Sequence, residues 1–292
     1  MDLNELVFGR LSSDQNIAGS LAKYADAPAI FNGEFPSDQD EGWGGKTQYP
    51  RISYQFNWQI DMDRASAGTL SVAVYTIKNP IECERLETLI RGSLKDVLMK
   101  ANGQAPVCVS WARTEPYFLE GNAVLAKVIE FDVLEYPLQE STDPDPIMAL
   151  SNYIKDIVPD SVVLGVDTIG AYTNPADAPI FYCRLESLQL DPTGYCQYTV
   201  TWYNCQISVH VLCPDSSLRL KLIAGINQRL TLDTEVIMLD ESPMTIRGAT
   251  LNNRADYLRG GQLTVSAHYG CLKDMYAKPN LKAVNLAYNN AD

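Results

Sequence analysis

The sequence predicts an α+β protein made of two similar domains, each an antiparallel four-stranded sheet with helices packed on one side. Apolar residues that alternate with polar ones mark strands, and apolar residues at intervals of three and four mark helices. A third observation is a strand–corner–helix unit that occurs twice, at residues 68–98 and again at residues 205–230. Two units of the same kind in the same order predict an internal duplication.

The first copy of this unit begins with a strand. Leu70, Val72 and Val74 alternate with smaller or more polar residues, the pattern of a strand with one buried face. Asn79 then suits a helix N-cap, and Pro80 suits the first helical position, where its missing N–H removes no hydrogen bond. The helix that follows carries one apolar stripe, formed by Leu86, Leu89, Ile90, Leu94, Val97 and Leu98.

The second copy repeats this order. Its strand alternates at Cys205, Ile207, Val209 and Val211, and Pro214 marks the corner. The helix stripe consists of Leu218, Leu222, Ile223, Ile226 and Leu230. The alternative is a chance match, because strand–proline–helix corners are common; agreement in type, order and spacing favours the duplication.

The remaining elements of the first half surround its copy of the unit. We predict a helix over residues 3–24, broken near Gly9 or residues 12–14, and strands over 49–60, 68–77, 107–111 and 129–133. A turn over residues 61–67 joins the first two strands. In the second half we predict a helix over 146–158, the corner helix over 214–230, and strands over 178–190, 196–212, 234–251 and 257–271.

A long loop over residues 25–48 separates the first helix from the first strand. It is acidic and rich in glycine, and compact domains rarely keep so long a loop without a use. A large aromatic side chain among glycines gains most when a partner buries it. We therefore predict an assembly surface formed by Glu34, Asp38, Asp40, Glu41 and Trp43. A calcium loop is disfavoured, because Gly42 stands where a third carboxylate belongs.

A proline-rich acidic segment divides the chain. It reads PLQESTDPDP and is typical of a linker. The predicted organisation is a first domain over residues 1–137, a linker over 138–146, a second domain over 147–272 and a polar tail over 273–292.

Composition narrows the function classes. A net charge of −13 repels nucleic acid and anionic lipid at long range, and no apolar run approaches a membrane span. The N-terminus lacks the basic start and apolar run of a secretory signal. Seven cysteines without a C-x-x-C arrangement predict reduced, buried thiols. The two histidines, His210 and His268, lie on polar faces of strands; a metal site between them is the less favoured reading.

No catalytic motif is present in the sequence. It contains no G-x-S-x-G, P-loop or H-E-x-x-H pattern. We therefore expect neither an enzyme nor a cofactor. The sixteen tyrosines and four tryptophans suit strands and sheet cores, and a surplus of them suits protein interfaces.

Several short segments resemble one family. They are residues 21–24 (LAKY), 28–31 (PAIF), 42–45 (GWGG), 49–52 (YPRI), and Arg64 with 68–70 (GTL) before the second strand. In this arrangement residues 1–150 resemble the tail-terminator, or tail-completion, family of long-tailed phages. Residues 142–146 (TDPDP) are similar to the junction with a second, related half in longer members.

The resemblance implies a structural virion protein rather than a catalyst. Family members are α+β domains that form a ring, stop growth of the tail tube and seat the tail on the head. The implied partners are further copies of this chain, the tail tube protein and the head–tail connector or head-completion protein. DNA would pass through the channel without specific binding. The implied location is the neck of the virion tail, after synthesis in the host cytoplasm, with no membrane partner.

Copy number is a separate expectation. In the resembled family the tail tube and the head connector have sixfold or pseudo-sixfold symmetry, so the ring must provide six equivalent contacts. Three duplicated chains or six chains would provide them. The acidic Trp43 loop has no counterpart in residues 159–177, and the strand turns at 61–67 and 191–195 differ in length and charge. Because different surfaces do not make identical contacts, the sequence favours a hexamer with the first half lining the channel.

Two other functions stay open at this point. One is another neck, collar or tail-completion protein of a phage or of a headless contractile particle. The other is an unrecognised enzyme or small-ligand module, which would require a concave pocket with converging polar groups.

Overall fold

The computed structural model describes residues 1–59, 66–118, 124–139, 141–192 and 200–272, with only the main chain of Phe118. The predicted tail over 273–292 and most of the predicted turns at 61–67 and 191–195 lie outside the described residues. So does Glu140 of the predicted linker.

The five α-helices among the described residues begin where the sequence supplies a cap. Asp2, Asp14, Asn79, Asp145 and Asp215 each accept a main-chain N–H from the first turn of a helix, which satisfies donors that otherwise lack partners. The helices are α1 (Leu3–Ser13), α2 (Gln15–Ala18), α3 (Pro80–Leu94), α4 (Pro146–Ile157) and α5 (Ser216–Asp233). A short 3-10 helix covers Glu41–Trp43.

Fifteen strands are described. Those of the first half are β1 (Lys23–Tyr24), β2 (Ala27–Pro28), β3 (Ile30–Asn32), β4 (Arg51–Trp58), β5 (Gly68–Ile77), β6 (Leu98–Met99), β7 (Val107–Phe118) and β8 (Val124–Glu135). Those of the second half are β9 (Val162–Val163), β10 (Tyr172–Thr173), β11 (Ile180–Leu190), β12 (Val200–Leu212), β13 (Glu235–Ile237), β14 (Pro243–Leu251) and β15 (Leu263–Leu272).

The prediction of two four-stranded antiparallel sheets is wrong. In the part of the chain that the structure describes, the strands form two curled sheets of seven and six strands, with the orders β10-β6-β7-β8-β5-β4-β3 and β13-β14-β15-β12-β11-β9. There β1 and β2 form a separate pair. Both large sheets are mixed, because β3 runs parallel to β4 and β9 runs parallel to β11. The added strands have two or three residues each, too few for an alternating pattern to be visible in the sequence.

The two sheets share one strand order. Without β10, the first sheet reads β6-β7-β8-β5-β4-β3, and the second sheet repeats this order position by position. The long helix of each half enters at the same place, since α3 lies between β5 and β6 and α5 lies between β12 and β13. β10 is the exception: it belongs to the second half of the chain but lies on the edge of the first sheet.

Alternation along the strands divides each sheet into two apolar faces. One face of the first sheet packs on α1 and α3, and the matching face of the second sheet packs on α4 and α5. The opposite faces meet each other in a third apolar cluster. In β8, for example, Val133 lies in the helix-side core and Leu134 in the cluster between the sheets. Because successive side chains of a strand point to opposite faces of the sheet, one strand contributes both to a helix-side core and to the contact between the halves.

Replacing the α3 cap, Asn79, with alanine is expected to lower the stability by about 1 kcal/mol. The Asn79 side chain accepts the Glu82 N–H at 3.1 Å, and Pro80 occupies the first turn. For a chain of this size the thermal midpoint should fall by about 2–4 °C. Asp215→Ala removes the corresponding cap of α5 and should have a similar effect in thermal unfolding. A loss of assembly larger than the loss of stability would show instead that the corner is an interface.

Candidate assembly surfaces

The segment between β3 and β4, residues 33–50 and called the acidic loop below, folds onto itself around Trp43. The loop predicted over residues 25–48 is therefore shorter at its start, because β2 (Ala27–Pro28) and β3 (Ile30–Asn32) form there.

The Trp43 side chain is only 2% exposed. Its ring meets Tyr24 and Phe31 edge-on, with centroids 5.1 and 5.9 Å apart, and its Nε1 donates to the Ser37 carbonyl at 3.0 Å. Edge-to-face contacts and a satisfied indole N–H stabilise a buried tryptophan. The chain by itself therefore buries the side chain that the sequence predicts to be buried by a partner.

Arg51 attaches this loop to the first sheet. Its guanidinium lies 3.7 Å from the ring centroid of Phe35 and 4.3 Å from that of Tyr49, and it donates to the Asp38 carboxylate at 2.6 Å. A planar guanidinium suits both stacking on rings and pairing with a carboxylate. Phe35 also meets Tyr75 of β5 edge-on at 5.3 Å. The loop consequently covers one end of the first sheet with aromatic side chains.

The other predicted interface residues face solvent. Glu34, Asp38, Asp40 and Glu41 are all exposed. Asp40 also accepts a hydrogen bond from the Tyr24 hydroxyl at 3.0 Å, which raises the pKa of Tyr24 above its ordinary value. The structure thus places all five residues in one folded loop, with the carboxylates outside and the indole inside. The role of this surface in assembly stays a prediction.

A larger interface, missed in the sequence, lies inside the chain, between the two halves. The first half contributes what we call the receiving face, formed by Leu98, Cys108, Leu134 and Tyr136. The second half contributes what we call the inserted face, formed by Leu164, Ile180, Tyr182 and Leu212. All eight side chains are at most 4% exposed. Burial of this much apolar surface makes the halves one packed unit.

Tyrosine hydroxyls donate hydrogen bonds across this interface. Tyr136 and Tyr182 stack edge-on at 5.4 Å and donate to main-chain carbonyls at 2.9 and 2.8 Å. Tyr257 donates to the Asp96 carboxylate at 2.6 Å across the junction. Burial raises the pKa of all three tyrosines, that of Tyr182 to about 12. They therefore remain protonated donors at neutral pH.

Strand β10 extends the junction along the sheet edge. Tyr172 and Thr173 pair with Met99 and Leu98 of β6. The Tyr172 hydroxyl also reaches across to the main-chain carbonyl of Leu6 in α1 at 2.6 Å. Two residues without a hydrophobic period give no strand signal in a sequence, so this contact was visible only in the structure.

The junction joins the halves head to tail. The receiving face belongs to the β6-β7-β8 side of the first sheet, whereas the inserted face belongs to the β9-β11-β12 side of the second. These are different sides of one shared topology. A contact between unlike surfaces is heterologous, so each half keeps one side that the junction does not use.

The unused receiving side of the second half carries exposed apolar residues. Ile237 in β13 and Leu239 in the turn after it are 62% and 66% exposed, and Leu232 at the end of α5 is 67% exposed. β13 is also an edge strand, with a neighbour only on its β14 side among the described residues. Open strand edges and clustered apolar side chains are common features of protein contacts.

The two histidines do not form a metal site with each other. His268 pairs with Asn204 across the strands and lies 2.9 Å from Asp191, with its ring stacked on Trp202 at 5.0 Å. His210 is six residues further along β12, beside Tyr182, and its burial lowers its pKa to about 4. In the described ranges no group of three histidine, cysteine or acidic residues is placed to hold a metal ion.

The described cysteines are free thiols. Five of the six are buried, and burial raises the pKa of the Cys183 thiol to about 12. Cys196 lies outside the described residues. A cleft of about 790 Å³ opens beside the junction and is lined by aromatic and charged side chains that include Trp58, Tyr182, Arg184, His210 and Arg259.

Comparisons with known proteins give one distant likeness. No family model matches the chain, and no curated protein matches it. Among solved structures, a chain described as "Virion of native gene transfer agent (GTA) particle" is similar at a TM-score of 0.33 and 13% identity. The match covers 46% of this chain and 93% of that one. In the described residues no helix is both long and apolar enough to cross a membrane.

Proposed function

We propose that this chain is a structural protein of a phage-like particle: a tail terminator that forms a ring on the tail tube and joins it to the head–tail connector. The observation that carries the proposal is the head-to-tail junction between two halves of one topology. A subunit whose halves already meet through unlike faces has further unlike faces with which to meet its own copies. The motif resemblance of residues 1–150 to tail terminators supplies the particular role.

The surface chemistry agrees with this role. The loop presents Glu34, Asp38, Asp40 and Glu41 to solvent, and the chain carries a net charge of −13. An acidic channel would repel the phosphate backbone, so DNA would pass without binding. The partners we propose are further copies of the chain, the tail tube protein and the connector or head-completion protein, in the neck of the virion.

Loss of the gene from its own phage tests the proposal. Without a terminator, particles should carry tubes of uneven length or tails that are not joined to heads, as seen by negative-stain electron microscopy. A plasmid copy of the wild-type gene should restore joined tails of uniform length, and a copy with an early stop codon should not. Particles of normal length and infectivity without the gene would contradict the proposal.

Two alternatives predict different results. Another neck or collar protein would leave tail length uniform and affect only attachment or particle stability. A small-ligand module would use the cleft beside Arg184 and His210, where the buried His210 leaves its Nδ1 without a hydrogen-bond partner among the described residues. Ligand-dependent rises in the thermal midpoint that Arg184→Ala removes would favour that module.

A further inference from the structure

We infer that the junction inside the chain is repeated between chains: the unused receiving side of the second half docks on the unused inserted side of the first half of the next copy. This inference rests on the proposed function, and it names the surfaces that would close the ring. The occupant of the exposed Ile237–Leu239 hairpin is therefore a second copy of this chain.

Strand registers identify the matching positions on the receiving side. Met99 of β6 and Met238, the residue after β13, are both buried in the helix-side cores. The residues directly before them, Leu98 and Ile237, therefore occupy corresponding positions. Both point to the other face of the sheet, where Leu98 is fully buried by the second half. The corresponding face of β13 carries Ile237, followed by Leu239, and both are exposed. The second half thus offers an apolar surface where the first half uses one.

The inserted side is matched in the same way. Ile52 of β4 and Phe181 of β11 lie in the helix-side cores and pair with β3 and β9 respectively. The residues before them, Arg51 and Ile180, therefore occupy corresponding positions. Arg51 pairs with Tyr75 of β5, and Ile180 pairs with Leu212 of β12, so Tyr75 and Leu212 correspond as well. In the first half this side is covered by the rings of Phe35 and Tyr49, which are partly exposed.

The loop positions agree with this match. β10, which fills the edge of β6, lies between β9 and β11 in the chain. The acidic loop takes the corresponding place between β3 and β4. In a repeated junction the acidic loop of one copy would therefore reach the open edge of β13 in the next. Main-chain pairing on an open edge, with apolar anchors beside it, is a common mode of association.

The charges on both surfaces should make association between copies depend on ionic strength. The loop exposes four carboxylates, and the receiving side exposes Glu235, Asp240 and Glu241. Like charges across a contact repel, and salt screens exposed charges. Association between copies should consequently strengthen as ionic strength rises from about 10 to about 150 mM.

The copy number follows from the head-to-tail arrangement. If every half uses both of its sides, six seats are filled by three chains in which first and second halves alternate. The sequence favoured six chains, because the loops of the two halves differ in chemistry. The two halves share one strand order although their loops differ in chemistry. Two halves with the same strand order can make pseudo-equivalent contacts around a ring.

Cysteine pairing in the full chain tests the contact. We expect a mixture of an Ile237→Cys chain and a Phe35→Cys chain to form disulfide-linked dimers under mild oxidation, while each variant alone and the wild type form few. Disulfides within the Ile237→Cys variant alone would show a like-to-like contact and overturn the inference. Native mass spectrometry of the wild type should give the mass of three chains.

A surface variant supplies the second measurement. The double change Ile237→Ser with Leu239→Ser should raise the dissociation constant between copies more than about tenfold. Leu218→Ser with Leu220→Ser removes two leucines of α5 that are 40% and 41% exposed, and should leave association unchanged. Rings of six chains that still form after the Ile237→Ser and Leu239→Ser changes would overturn this contact but leave the proposed terminator function standing. Normal particles without the gene would instead contradict the terminator function itself.

Discussion

Replacing Trp43 with alanine is expected to lower the free energy of unfolding by about 3–5 kcal/mol. The indole is 2% exposed, packs on Tyr24 and Phe31, and donates to the Ser37 carbonyl. Its removal leaves a cavity beside two rings and leaves the Ser37 carbonyl without the indole donor. Chemical denaturation followed by far-UV circular dichroism measures the change.

Trp58→Ala is the matched control for this prediction. Trp58 lies at the end of β4, is 47% exposed and stacks on Phe56 at 5.5 Å. Its loss should lower the stability by less than that of Trp43, because less apolar surface leaves water on folding. An isolated Trp43→Ala chain as stable as wild type would contradict the burial of the indole and restore the earlier expectation that a partner buries it.

Replacing Leu134 with alanine is expected to lower the free energy of unfolding by about 2–5 kcal/mol. Leu134 is 2% exposed and lies in the receiving face, where the second half covers it. Because the cavity would lie between the halves, we also expect unfolding to become less cooperative, with one half melting before the other. Differential scanning calorimetry detects both changes.

Leu138→Ala controls for the loss of a leucine near the same junction. Leu138 follows β8 and is 60% exposed, so its truncation should change the stability by less than about 0.5 kcal/mol. Equal effects of the two substitutions, or a single sharp transition at the wild-type midpoint for Leu134→Ala, would show that the halves are not coupled through the receiving face.

The longer helices and the central strands could be predicted from the sequence. Asn79, Pro80 and the apolar stripe after them predict α3, and the structure shows that helix with the Asn79 cap. The helix ends at Leu94, however, and Leu98, predicted in its stripe, lies in β6. The alternating residues of β5 and β12 likewise predict the two central strands. Caps and periodic patterns act between residues that are close in the chain, so the sequence displays them directly.

The short strands at the edges of the sheets could not be predicted from the sequence. β6, β9, β10 and β13 have two or three residues each, and the predicted strand over 234–251 is in fact β13 and β14 with a turn between them. Strands this short exist because a longer neighbour offers hydrogen bonds, and that neighbour is distant in the chain. Propensity within three residues is too weak to reveal such pairing.

The sequence by itself determined the capped helices, the paired strand–corner–helix units and the acidic loop that contains Trp43. Only the tertiary structure decided that Trp43 points inward, that β10 crosses to the first sheet, and that the halves meet through unlike faces. The physical reason is that burial and heterologous contact depend on which surfaces remain after both sheets have formed. A side chain such as Leu134 has the same local pattern whether solvent, a helix or the other half of the chain covers it.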